Sequence, residues 1–306
     1  MQRIRSVVGS AVLCLTVAGI AVPAEAGFTC GGTVGPGGTL VMTADITGCA
    51  SSPALTLVGP VTVDMNGHTV GCSSGTGTGI EQDGTSAILK NGLVGPSCGI
   101  AVVVSGSGRH QVLNVLTRGN TRGFQVRSDG NHLSNDSSRD EGGLGFELDG
   151  NSNAVKASTA VGNDTGFVVG TGTKNILTGN TASQSVNNGF DVLGGTQHDL
   201  SMNTAISSGL AGFSIGGSQS KLFNNTAASN ATEGLLVGAT GNIVKGNRAY
   251  ANASEGIHIT GSGGTITKNV ALGNGTVDLE DNNATCDSNT WTHDIFGSAS
   301  PAACIH

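Results

Sequence analysis

A glycine followed by a large apolar residue recurs along this chain at nearly constant intervals. The pairs are Gly123-Phe124, Gly145-Phe146, Gly166-Phe167, Gly189-Phe190, Gly212-Phe213, Gly234-Leu235 and Gly256-Ile257, spaced by 22, 21, 23, 23, 22 and 22 residues. Two residues after each apolar member stands another: Val126, Leu148, Val169, Val192, Ile215, Val237 and Ile259. Alternation with period two is the mark of a strand with one face buried. A repeat of this length cannot bury an apolar face alone, so copies must stack.

Two further columns share the period. Leu133, Val155, Leu177, Leu200, Leu222, Val244 and Ile266 mark a second inward position. Asn180, Asn203, Asn225, Asn247 and Asn269 mark a turn, and each is followed two residues later by an alanine, from Ala182 to Ala271. Each repeat therefore holds about three short strands separated by turns. Coils stacked about 4.8 Å apart pair backbone to backbone and align like side chains into ladders. A leucine-rich repeat would need an L-x-x-L-x-L signature, and a β-propeller about twice the repeat length. The expected fold is all-β, a single-domain right-handed parallel β-helix of about 22 residues and three strands per coil.

The ends depart from the repeat. Arg3 and Arg5 precede an apolar run from Val7 to Val22, and Ala24-Glu25-Ala26 offers a cleavage site, so residues 1–26 read as an export signal rather than a membrane anchor. Residues 27–98 form an N-terminal cap with irregular first coils, in which Gly79-Ile80 and Gly99-Ile100 continue the glycine-apolar beat. Residues 99–277 form the regular coils, and residues 278–306, with the only Trp, form a C-terminal cap. Loss of Cys14 with the export signal leaves six cysteines, and an even count in an exported chain reads as a disulfide framework, with local pairing expected: Cys30–Cys49, Cys72–Cys98 and Cys286–Cys304. The formal net charge of −7 excludes nucleic acid and anionic membrane as partners. A secreted or extracytoplasmic monomer is expected.

The G-[FIL]-x-[VI] coils with Asn-rich turns, over roughly residues 40–276, resemble the β-helix repeats of the pectin-lyase-like superfamily. The tail from Asp278 to Phe296, ending near Cys304-Ile305, resembles a cap found in exported bacterial β-helix proteins. That resemblance implies fold more than function, because the superfamily holds lyases, hydrolases, epimerases and members without known activity. Its enzymes act in a shallow groove on the outward face of one strand column. Here the outward positions beside the Phe column read Glu81, Ala101, Gln125, Glu147, Val168, Asp191, Ser214, Leu236 and His258. Two residues further on come Asp83, Val103, Arg127, Asp149 and Gly170.

The chemistry-bearing residues gather in the middle. Glu147 and Asp149, about 6.5–7 Å apart along one strand, with Asp191 about 10 Å away, could serve as the carboxylates of a glycoside hydrolase. A uronate lyase needs a group that neutralises the sugar carboxylate and a base for C5. Arg127 with Gln125 could neutralise it, or the acids could hold calcium; no other cofactor is implied. Arg139-Asp140-Glu141 extends a neighbouring turn and could wall the groove, making Arg139 a substrate contact. The alternative for the cluster is an ordinary cross-rung ion pair between Arg127 and Asp149. His258 reads as solvent-exposed. The motifs of polygalacturonase-like hydrolases are absent, and Trp291 and Tyr250 are the only Trp and Tyr. The functional expectation is interaction with, and possible cleavage of, an extracellular polysaccharide. Its alternative is a non-catalytic exported scaffold or binding protein.

Overall fold

The structure, a computed structural model, describes residues 24–283 and 288–305. Every strand pairing among them is parallel, and the coils stack into two continuous sheets. One sheet of 13 strands carries the Phe column, from Gly32–Val34 through Arg122–Val126, Leu144–Leu148 and Ile257–Ile259 to Ala299–Ser300. The other, of 23 strands, carries both remaining columns, for example Ala154–Lys156 and Thr159–Val161 in one coil.

The register is that of the repeat. Phe124, Phe146, Phe167, Phe190 and Phe213 pair rung to rung and are fully buried, with ring centroids 4.6–4.7 Å apart and planes within 11° of parallel. The glycine before each ring has a steric cause. A Cβ on Gly189 would stand 2.8 Å from the carbonyl oxygen of Gly212 and 2.9 Å from the Cβ of Ala205. The glycine column and the alanine column thus face each other across the narrow interior, and each requires the other to be small.

One coil departs from the sequence reading. Val102, not Ile100, pairs with Phe124 and with Ile80, so Ala101 is wholly buried and Val103 takes the outward level of Gln125. Gly99 does not belong to the beat. A Cβ there would lie 2.7 Å from the backbone of Thr76, so it is glycine for a close turn instead.

The three corners are lined by buried polar ladders, of which the sequence made only one conspicuous. In that one, running from Asp136 through Ser158 and Asn180 to Asn269, the backbone N–H of each rung donates to the side-chain oxygen of the next. Asn203 N–H to Asn225 Oδ1 (2.9 Å) is representative. The amide Nδ2 of Asn225 donates back to the Leu200 carbonyl (2.8 Å). A second ladder runs through Asn131, Asn153, Asn175, His198, Ser220 and Asn242, and the third corner carries two runs, Asn120 to Glu141 to Asn163 and Ser208 to Asn230, Asn252 and Asn274, separated at Ser185. Burying a polar group is costly unless it is bonded, and these side chains supply acceptors that the turning backbone lacks.

Cys30–Cys49 and Cys72–Cys98 are disulfides, and both lie in the N-terminal coils. Cys286, half of the third expected pair, lies outside the described residues, as do residues 1–23 of the expected export signal. At the C-terminal end Leu279–Asp281, Thr290–Thr292 and Ile295–Phe296 extend all three columns, and Trp291 pairs onto Ile266. Carboxylates take up the last amides there. Asp294 accepts from Asn269 (2.7 Å) and Asp278 from Asn274 (3.1 Å), while Asn289 donates to Asp281 (3.1 Å). No helix among the described residues is long and apolar enough to cross a membrane.

Candidate functional site

The outward face of the 13-stranded sheet presents one ladder of middle positions. It reads Glu81, Val103, Gln125, Glu147, Val168, Asp191, Ser214, Leu236, His258 and Glu280. A second stripe, formed by the residue before each glycine of the beat, runs beside it and includes Arg122, Asn188, Glu233 and Glu255.

Gln125 and Glu147 pair across adjacent rungs, as the repeat spacing predicts. Arg127 and Asp149 follow on the same two strands' C-terminal sides, and both are exposed. The ion pair of this cluster joins Arg122 to Glu147 rather than Arg127 to Asp149: Arg122 Nη1 donates to Glu147 Oε2 at 2.8 Å. Glu147 is largely covered, with 15% of its side chain accessible. Burial pushes its carboxyl above the ordinary range; Arg122 opposes that shift and Asp149 adds to it, with Gln125 and Arg127 giving smaller opposing contributions. Asp191 lies two rungs on, half-buried, separated from Glu147 by the buried Val168.

Arg139 is not brought to this cluster. It ends a strand of the other sheet, is exposed, and donates from Nε to Ser137 Oγ (3.2 Å). Its neighbours part company: Asp140 pairs with Arg118 (3.3 Å), whereas Glu141 turns inward and accepts the N–H of Asn120 (2.6 Å). Glu141 is therefore a rung of a corner ladder, not part of a groove wall.

Sequence reasoning missed Arg122 as the partner of Glu147, and missed Glu233 and Glu255 altogether. The available signal was the residue preceding each Gly of the beat, which shares the outward face. His258, expected to be solvent-exposed, has only 14% of its side chain accessible and lies among Glu233, Glu255 and Glu280. Between the two polar ends of the face is a shallow depression of about 290 Å³ lined by Asn188, Leu210, Ala211, Ser214, Thr232, Glu233 and Leu236. A larger open hollow of about 420 Å³ lies on the other sheet, lined by Lys174, Ile176, Gln197, Asp199, Gln219 and Lys221.

The family model for the right-handed β-helix region matches residues 144–300. No curated protein matches the sequence. Among solved structures the chain is similar to a mannuronic acid specific polysaccharide family 6 lyase from human gut microbiota, at 12% identity over 89% of this chain and 79% of that one, with a TM-score of 0.67. It is also similar to the A-module of the Azotobacter vinelandii mannuronan C-5 epimerase AlgE6 (14% identity, 86% and 87% covered, TM-score 0.60). The Dettilon tailspike protein follows (14% identity, 83% and 54% covered, TM-score 0.51). At these identities the likeness is one of fold.

Proposed function

The chain belongs to the right-handed β-helix family, and on that premise we propose that it binds an extracellular acidic polysaccharide along the 13-stranded sheet and cleaves it by β-elimination. The observation that carries this reading is the covered Glu147 carboxyl, its proton affinity raised by burial, with cationic and neutral donors around it and the exposed Asp149 on the same strand. Two of the solved structures it is similar in fold to are named for action on mannuronic acid or mannuronan.

Arg127 and Gln125 are assigned to the sugar carboxylate, whose neutralisation acidifies the C5 proton. Asp149 accepts that proton, the C5–H electrons form the C4=C5 bond, and the C4–O bond breaks. Glu147 gives its proton to the departing oxygen, the task that suits a carboxyl kept protonated to higher pH. Asp191, two rungs away, contacts the next sugar. The two disulfides fit an oxidising, extracytoplasmic compartment, in line with the export signal read at residues 1–26.

The test is incubation of the purified chain with polymannuronate, polyguluronate and polygalacturonate, following both the ultraviolet absorbance of unsaturated uronate and new reducing ends. Glu147→Gln and Asp149→Asn should each lower the rate about 10²–10⁴-fold while leaving the thermal midpoint nearly unchanged. Reducing ends without the absorbance would replace elimination by hydrolysis through the Glu147–Asp149 pair. Binding without cleavage would favour the scaffold reading, and full activity in the double variant would remove these carboxylates from the mechanism.

A further inference from the structure

Glu233 and Glu255 occupy the same position in successive coils, each just before a glycine of the beat, and they stack on the outward face. His258 stands at the centre of the strand Ile257–Ile259, and Glu280 is its partner on the next rung. One ligand atom from each of Glu233, Glu255 and His258 falls within 4.8 Å of the others. The imidazole reaches both ways, with Nδ1 3.8 Å from Glu233 Oε1 and Nε2 3.6 Å from Glu280 Oε2. Both ring nitrogens are buried, and neither makes a hydrogen bond.

These spacings discriminate between two uses of the cluster. An imidazolium clamped by carboxylates would draw them to charge-assisted contact, about 2.7–2.9 Å. Ligands around a tetrahedral ion with bonds of about 2.0–2.1 Å stand about 3.3 Å from each other. The observed gaps of 3.8 and 3.6 Å lie nearer the ligand spacing than the clamp's, and a small side-chain closure would take an ion. Three carboxylates around one imidazole also leave an uncompensated negative charge that a divalent cation would neutralise.

We propose that Glu233, Glu255 and His258 bind a divalent first-row transition ion of the zinc type, with Glu280 orienting the histidine from behind. Nδ1, the nitrogen on the Glu233 side, ligates. Nε2 keeps its proton on the Glu280 side, where closing the 3.6 Å gap on metal binding would let it donate and fix the tautomer, as outer carboxylates do at histidine-ligated metals. Mixed imidazole and carboxylate donors select zinc-like ions, whereas calcium calls for six to eight oxygens. Glu233 also lines the shallow depression, so the cluster adjoins it. This site is independent of the polysaccharide reading.

The experiment is calorimetric titration of the untagged, chelator-stripped full chain with zinc and with calcium, together with thermal melts. One equivalent of zinc should bind and raise the thermal midpoint. Glu255→Gln and His258→Ala should each weaken binding at least 100-fold, and Glu280→Gln about 10–100-fold at unchanged stoichiometry. X-ray absorption of the zinc-loaded chain should report one nitrogen among light-atom neighbours. Absence of zinc binding, preference for calcium, or undiminished affinity in folded His258→Ala would overturn the assignment.

Discussion

Asp136 begins a corner ladder whose later rungs are Ser158, Asn180, Asn203 and Asn225. Its Oδ1 accepts the N–H of Val115 (2.8 Å), while its buried Oδ2 has no partner. Burial drives its pKa well above the ordinary value, against the pull of the Val115 and Ser134 amides. Because the folded state holds this proton more tightly than the unfolded chain, the stabilisation is complete below the unfolded value of 3.8 and declines as pH rises toward the folded one. Asp136→Asn should therefore stabilise the protein at neutral pH by about 1–3 kcal/mol, the cost of an unsatisfied buried polar group. Its denaturation midpoint should also fall less steeply from pH 4 to pH 7 than that of the parent. Such residues were only partly legible in the sequence. The asparagines of this corner repeat by identity and stand out, whereas the other two corners exchange Asn for His, Ser or Glu along their length, so no single letter marks them. Glu147, Asp149, Gln125 and Arg127 could be placed on one face because period two extends forward from each Phe. Arg122, Glu233 and Glu255 escaped because they precede the glycine, where that extrapolation was not carried.

At the scale of the strand, aromatic stack and amide ladder bear comparable loads. Phe190→Ala should cost about 3–5 kcal/mol, since the ring is fully buried between Phe167 and Phe213 and the stacked coils cannot collapse onto a hole. Asn225→Ala should be similarly costly although it removes fewer atoms. It strands the Asn203 N–H and one of the two amide hydrogens of Asn203, the other staying on the Leu177 carbonyl, and takes the side-chain donor from the Leu200 carbonyl. At about 1–3 kcal/mol per stranded group, urea denaturation should place the two variants within a factor of two. The strands were legible wherever an apolar residue recurred at its exact column. The coil around Val102 was not, because a glycine with another purpose, Gly99, stood where the beat was expected.

For the whole molecule the coil is the unit that can be removed. Deleting residues 203–224 takes out one rung of each strand column and each ladder, and brings the Asn180 rung onto Asn225. That chain should fold cooperatively with a lower midpoint, whereas deleting 204–214 should leave it unfolded by circular dichroism, because half a coil rejoins no column. A stack that tolerates loss of a rung would as readily accept more, including the end of another copy of itself, and unchecked that is fibril growth. Asp294 and Asp278 meet two of the ladders at the last coil, each accepting both the backbone N–H and the side-chain amide of the final asparagine, Asn269 and Asn274. The last amides of those files are spent inside their own chain, and a second copy docking at this end would find neither of them free to bond.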